Sequence, residues 1–200
     1  MASISPDSQN DHWGHVMGRQ QAGSKAQRLG AQWEASVAGD LRRWVNDGVL
    51  ADYQQCGPLI QRTGPGGRRI VIVEDEAPVD FDAWNHHGAW RFEAKATRAA
   101  RWSLSQLEPH QARRLTSWHR PSIGRHAGIA LAFFRPDEVE SVWLSWNVRP
   151  DEVVSVWLPW DALAVHWSRW AGGKARRGQA SITVDEAIEM GSCWDEDMFR

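Results

Sequence analysis

Val79-Asp80-Phe81-Asp82-Ala83-Trp84, then Asn85-His86-His87-Gly88, then Ala89-Trp90-Arg91-Phe92-Glu93-Ala94-Lys95-Ala96-Thr97: the rest of the chain hangs on this run, continued to Gln111. Its flanks are rich in Trp, Phe and Val, and its middle is Asn, His and Gly, the pattern of a β-hairpin. Side chains alternate faces along a strand. Trp90, Phe92, Ala94 and Ala96 therefore share an apolar face that reads as core, and Arg91, Glu93, Lys95 and Thr97 share a polar one. A loop centred on His86-His87 sets Trp84 against Ala89, Asp82 against Arg91 and Asp80 against Glu93.

Like charges directly opposed across a ladder repel. Asp80 and Glu93 call for a cation between them, and Lys95 lies on the same face one alternation further on. Two acids and a lysine around one point suit metal-assisted phosphodiester hydrolysis. The acids hold a hard divalent ion, which activates water, and the lysine offsets charge in the transition state. A solvated polar face with one incidental clash is the plainer alternative.

Two hundred residues with 42% hydrophobic content suggest one domain with a real core. No apolar run is long enough to span a membrane, and residues 1–25 carry no apolar targeting segment. Cys56 and Cys193 stand alone, which predicts a reducing, cytoplasmic setting without disulfides. The net charge of -2 hides an asymmetry. Between Arg91 and Arg135 there are nine Arg or Lys against Glu93 and Glu108, whereas residues 136–161 and 185–200 are strongly acidic. A basic middle between acidic flanks is the footprint of a polyanion-binding face.

Residues 1–24 lack periodicity and read as a disordered or loosely docked arm. Leu29, Trp33, Val37, Leu41 and Trp44 form one helical stripe between about Lys25 and Asp47, with Glu34 at its edge, from where it could reach the site. Val49–Thr63 holds one strand, Gly64-Pro65-Gly66-Gly67 a turn, and Arg68–Val73 another strand. A second helix starts between Ser105 and Pro109. It places Gln111 on the stripe of Leu107, Leu115 and Trp118, where an amide must be bonded or liganding. Gly128–Phe134 is a buried strand.

Arg135–Trp146 then recurs as Arg149–Trp160, identical at ten of twelve positions. The reading is a 14-residue tandem duplication within 135–161, giving an extra strand or hairpin, with one copy in the main sheet. Trp143, Trp146, Trp157 and Trp160 within it read as packing residues rather than base-stacking ones. Residues 25–190 form the working domain and 191–200 an acidic tail, with a turn or two of helix near Thr183–Glu189. Phosphate contacts fall to Arg98, Arg101, Arg113, Arg114 and Arg120, and to the basic glycine loop with Lys174, Arg176 and Arg177. The spacing of His86, His87, His110, His119 and His126 fits no zinc set.

Asp80…Glu93-x-Lys95 is similar to the PD-(D/E)xK nucleases. The order of Gly30-x3-Glu34, Asp80-Phe81, Phe92-Glu93-Ala94-Lys95-x-Thr97, His110-Gln111, Gly128-Ile129-Ala130 and Val156-Trp157-Leu158 resembles the RecU family of Holliday junction resolvases across roughly residues 28–190. The resemblance implies an α/β, restriction-endonuclease-like mixed central sheet flanked by helices. It also implies a homodimer, Mg2+ with Mn2+ able to substitute, and paired incisions in a four-way DNA junction, with a recombinase as a possible partner. Asp80, Glu93 and Gln111 would be metal ligands, Lys95 the transition-state stabiliser, and Glu34 an assisting catalytic group. Pro78-Val79 stands where the family carries a Thr, and the family's stalk is compressed into about Arg62–Glu76. Alternatives are a nuclease of this type for other DNA structures and a non-catalytic junction-binding or recombinase-modulating module.

Overall fold

The computed structural model describes residues 10–56, 60–62, 69–71, 79–134, 153–173 and 180–200. The quoted stretch forms strands β4 (Phe81–Trp84) and β5 (Ala89–Thr97), paired antiparallel with Asp82 opposite Arg91 and Trp84 opposite Ala89. That is the register expected from a turn at His86-His87. The ladder stops at Phe81–Phe92, so Asp80 lies just beyond the end of β4 rather than within it.

Taking the rest in chain order, α1 is Asn10–Asn46, β1 Asp52–Gln55, β2 Ile60–Arg62 and β3 Arg69–Val71. After the hairpin come β6 (Arg101–Ser103), α2 (Pro109–Trp118), β7 (Arg125–Phe134), β8 (Val153–Pro159), α3 (Trp160–Ala171), β9 (Ser181–Thr183), α4 (Val184–Met190) and β10 (Ser192–Cys193). The main sheet has six strands in the order β1-β4-β5-β7-β8-β10. β5 and β7 are parallel and their neighbours antiparallel. Two small two-stranded sheets, β2-β3 and β6-β9, flank it. The chain is thus an α/β protein with a mixed sheet between helices, as expected at that level.

Each face of the sheet carries its own core. Leu29, Trp33, Val37, Leu41 and Trp44, the whole expected stripe, are buried with Phe81, Trp90 and Phe92. Trp33 Nε1 also donates to the Ala130 carbonyl of β7 at 2.9 Å, which locks the rotation of α1 on the sheet. On the other face Leu107, Leu115 and Trp160 pack on Ile129, Leu131 and Leu158. Gly128 is needed on the α1 face, because a Cβ would stand 2.6 Å from the Trp157 ring. The run from Ala127 to Phe134 is buried throughout, as a strand covered on both faces must be.

Several boundaries differ from expectation. The α1 helix begins at Asn10, not near Lys25, so most of the supposed arm is helical. An apolar stripe marks only where a helix buries a face, and a polar extension leaves no such mark. On the polar face of β5, against which α2 packs, Glu93 is 0% exposed and Thr97 7%, while Arg91 and Lys95 are half-buried. The acidic tail is docked. Trp194 and Phe199 are buried against Trp44 and Trp90, and β10 extends the sheet edge. The second copy of the repeated sequence contains β8 of the main sheet, with Trp157 and Trp160 buried. The first copy, with Trp143 and Trp146, lies outside the described residues, as do Pro78, the Gly64–Gly67 turn and the Lys174–Arg177 loop. Among the described residues no helix is long and apolar enough to cross a membrane.

Candidate metal and phosphodiester site

Glu93 sits mid-way along β5, the strand flanked by β4 and β7, and points to the α2 face. Lys95, two residues on, faces the same way and is 18% exposed, and its Nζ lies 3.0 Å from Glu93 Oε2. Gln111 comes from the first turn of α2, opened by Pro109, whose missing N–H costs nothing there. Its Nε2 donates to the same Oε2 at 2.5 Å, and its Oε1 accepts the Glu108 backbone N–H at 3.0 Å. One oxygen of Glu93 thus receives two donors. The other, Oε1, is buried with no hydrogen-bond partner among the described residues.

Asp80 approaches from the broken end of β4. Its Oδ2 accepts the Ala94 backbone N–H at 2.8 Å, so the carboxylate occupies the place of the next ladder carbonyl. Its own carbonyl accepts from Cys56 N at 2.8 Å, tying it to the end of β1. Ala94 directly follows Glu93, so the two carboxyl groups act on each other. The pKa of Glu93 is pushed up to about 8, chiefly by burial; Lys95 pulls it back and Asp80 pushes it further up. Glu34, half-buried on α1, is also raised, by burial first and then by the Asp80 carboxylate, with Lys95 opposing. So the end of β4, β5 and α2 bring Asp80, Glu93, Lys95 and Gln111 together, and Glu34 on α1 feels the charges of Asp80 and Lys95.

A hard divalent cation fits this donor set. Asp80 and Glu93 offer oxygen ligands, and Glu93 Oε1 is a buried acceptor with no hydrogen-bond partner among the described residues. Among the described residues no three His, Cys, Asp or Glu groups cluster tightly enough to hold an ion by themselves. Gln111 presents its nitrogen, not its oxygen, to Glu93, so liganding by its oxygen requires the amide to leave the Glu108 N–H. What the sequence did not disclose was this double engagement of Gln111. Its position at the third residue of a helix, three after Glu108, was the available clue.

Of the arginines assigned to phosphate contacts, Arg101 and Arg113 are exposed and Arg98 is half-buried. Arg114 is half-buried with Nε inside, so it does not point fully outwards. Arg120 is exposed, but its Nη1 donates to the His119 carbonyl at 2.9 Å at the end of α2. Lys174, Arg176 and Arg177 lie outside the described residues. No protein-family model matches this chain, and no curated protein matches it either.

Proposed function

We propose that the chain is a Mg2+-dependent endonuclease of the PD-(D/E)xK type that acts on branched DNA as RecU-type Holliday junction resolvases do, on a restriction-endonuclease-like core. The observation that carries this reading is the pairing of Asp80 with a fully buried Glu93, which leaves Oε1 unpartnered while Lys95 Nζ stands 3.0 Å from Oε2. An acid placed so, beside a second acid, is costly to keep charged without a cation.

Asp80 and Glu93 would hold Mg2+, with Gln111 able to join them after turning its amide. The ion supplies an activated water and stabilises the leaving oxygen when bound. Every other role falls to the chain's own groups. The Ala94 N–H holds the Asp80 carboxylate in place, and Gln111 Nε2 fixes the rotamer of Glu93. The Lys95 ammonium, close to solvent, offsets the charge that grows on the phosphoryl oxygens. Glu34, raised and half-buried, is positioned to exchange a proton at the mouth of the site. A symmetric dimer would set two such sites against strands of like polarity.

A second reading keeps the chemistry and changes the substrate. The stretch in which the resolvase stalk is expected spans only about Arg62–Glu76 in the sequence. That favours a nuclease of the same type for duplex or flapped DNA. Cleavage of a four-way junction and of linear duplex with the same arms, with and without Mg2+, separates the two. Glu93→Ala and Lys95→Ala should keep junction binding and lose nicking. Undiminished cutting by both variants would remove the assigned site, and binding without any Mg2+-dependent cutting by the parent protein would leave a non-catalytic binder.

A further inference from the structure

Two guanidiniums share one indole at the C-terminal end of α2. Arg91 lies over Trp118 at 4.0 Å from the ring centroid and Arg125 at 4.8 Å. The two arginines differ in what their edges do. Arg91 gives Nε and Nη2 to Asp82, both at 2.7 Å, in a forked ion pair. Arg125 is exposed, and among the described residues no carboxylate lies within ion-pair distance of it. Stacking uses the face of a guanidinium and leaves its N–H edge free. So Asp82 fixes Arg91, Arg91 helps fix Trp118, and Trp118 holds Arg125 with its donors unspent.

The backbone places a second arginine beside it. Arg120 N donates to the Arg125 carbonyl at 2.8 Å, and Arg125 N to the Arg120 carbonyl at 3.1 Å. This two-way bridge is closed by Gly124 at φ 69, a conformation that favours glycine. Bridged residues of this kind have Cα atoms about 5.5 Å apart with side chains on one side, where like charges repel. Arg120 relieves part of this by donating to the His119 carbonyl at the end of α2; among the described residues Arg125 has no such outlet. The sequence from Pro109 to Pro136 contains no acid at all.

We infer that Arg125, held on Trp118, is a preformed contact for a nucleic-acid backbone phosphate outside the cleavage site. It rests on the proposed function for its ligand. Arg125 lies on the same sheet face as Glu93, four residues before Ile129, the parallel partner of Glu93. At about 3.3 Å per residue that is roughly 13 Å along the strand, or about four nucleotides of rise. The ordered stack lowers the entropic cost of engaging the phosphate.

The test is fluorescence anisotropy of a labelled four-way junction, in EDTA, across a salt series. Arg125→Gln should bind roughly threefold to tenfold more weakly, and the slope of log affinity against log salt should shrink by about 0.9. Arg125→Lys should keep the slope. Arg43→Gln, an exposed arginine paired with Asp40 on α1, should behave as the parent protein. An unchanged slope in Arg125→Gln, or an equal fall in Arg43→Gln, overturns the assignment. If the parent protein cuts DNA while Arg125→Gln matches it in slope, this contact alone is wrong. If the parent protein neither binds nor cuts DNA, the nuclease reading fails and this contact with it.

Discussion

Gln111 donates through Nε2 to Glu93 Oε2 at 2.5 Å and accepts through Oε1 from the Glu108 backbone at 3.0 Å, so one amide caps α2 and steadies the buried acid together. Removing it breaks both. Gln111→Ala should cost about 1–3 kcal/mol, because a helix-end donor and a buried carboxylate each lose a partner. Gln111→Glu places a further carboxylate beside Glu93. It should be less stable than the parent without metal and gain more from Mg2+ than the parent does. Thermal melts without Mg2+ and with Mg2+ in large excess over its dissociation constant read both effects. Equal Mg2+ responses in the parent and Gln111→Glu would mean that no ion lies beside Gln111.

The raised pKa of Glu93 has a fixed sign. Its ordinary value is 4.5 and its folded value is about 8. Between those values the folded chain keeps a proton that the unfolded chain has released, so this group's contribution to stability is intact below about pH 4.5 and declines up to about pH 8. Glu93→Gln removes that term. The variant should gain on the parent across this window, by an amount on the order of a few kcal/mol at its upper end. Because metal and proton compete for the same oxygens, Mg2+ should stabilise the parent more at the alkaline end than at the acid end. Urea unfolding of both proteins as a function of pH gives the comparison; parallel curves would show that Glu93 titrates normally.

The C-terminal segment should prove structural. Phe199 packs on Trp44 and Trp90 with ring centroids 5.3 and 4.9 Å apart, and its carbonyl accepts from Asn85 Nδ2 at 2.8 Å. That bond ties the hairpin turn to the chain end. Phe199→Ala should cost about 3–5 kcal/mol. A change within about 0.5 kcal/mol, the range of surface substitutions, would mean that the segment is not docked.

Phe199 also shows where the sequence runs out. Trp194 and Phe199 are five residues apart among acids, with neither a strand nor a helix period, so local charge conceals two core residues. The α1 stripe and the hairpin register were legible because each is a local repeat set by a fixed geometry. The closeness of Asp80 to Glu93 followed from that register. The burial of Glu93 did not, because period two assigns a face without naming what covers it, and the cover is α2, folded back from later in the chain. Gln111 was placed on the right stripe, but its partners are a matter of that same return.

Asp80→Asn isolates charge from structure. The Asp80 carboxylate does two things: Oδ2 accepts the Ala94 N–H at 2.8 Å, and its charge raises both Glu93 and Glu34. An asparagine oxygen can keep the first and abolishes the second. Stability should therefore stay within about 1 kcal/mol of the parent, or improve, while the Glu93 carboxyl titrates at a lower pH by carbon NMR. Asp80→Ala loses the acceptor as well and should fall about 1–2 kcal/mol below Asp80→Asn. Under the proposed function, both should cut DNA at least about a hundredfold more slowly, since each removes a metal-binding oxygen charge. Asparagine cutting at the parental rate would take Asp80 out of the chemistry. Equal stabilities for Asn and Ala would show instead that the Ala94 bond holds nothing in place, and the end of β4 would need another anchor.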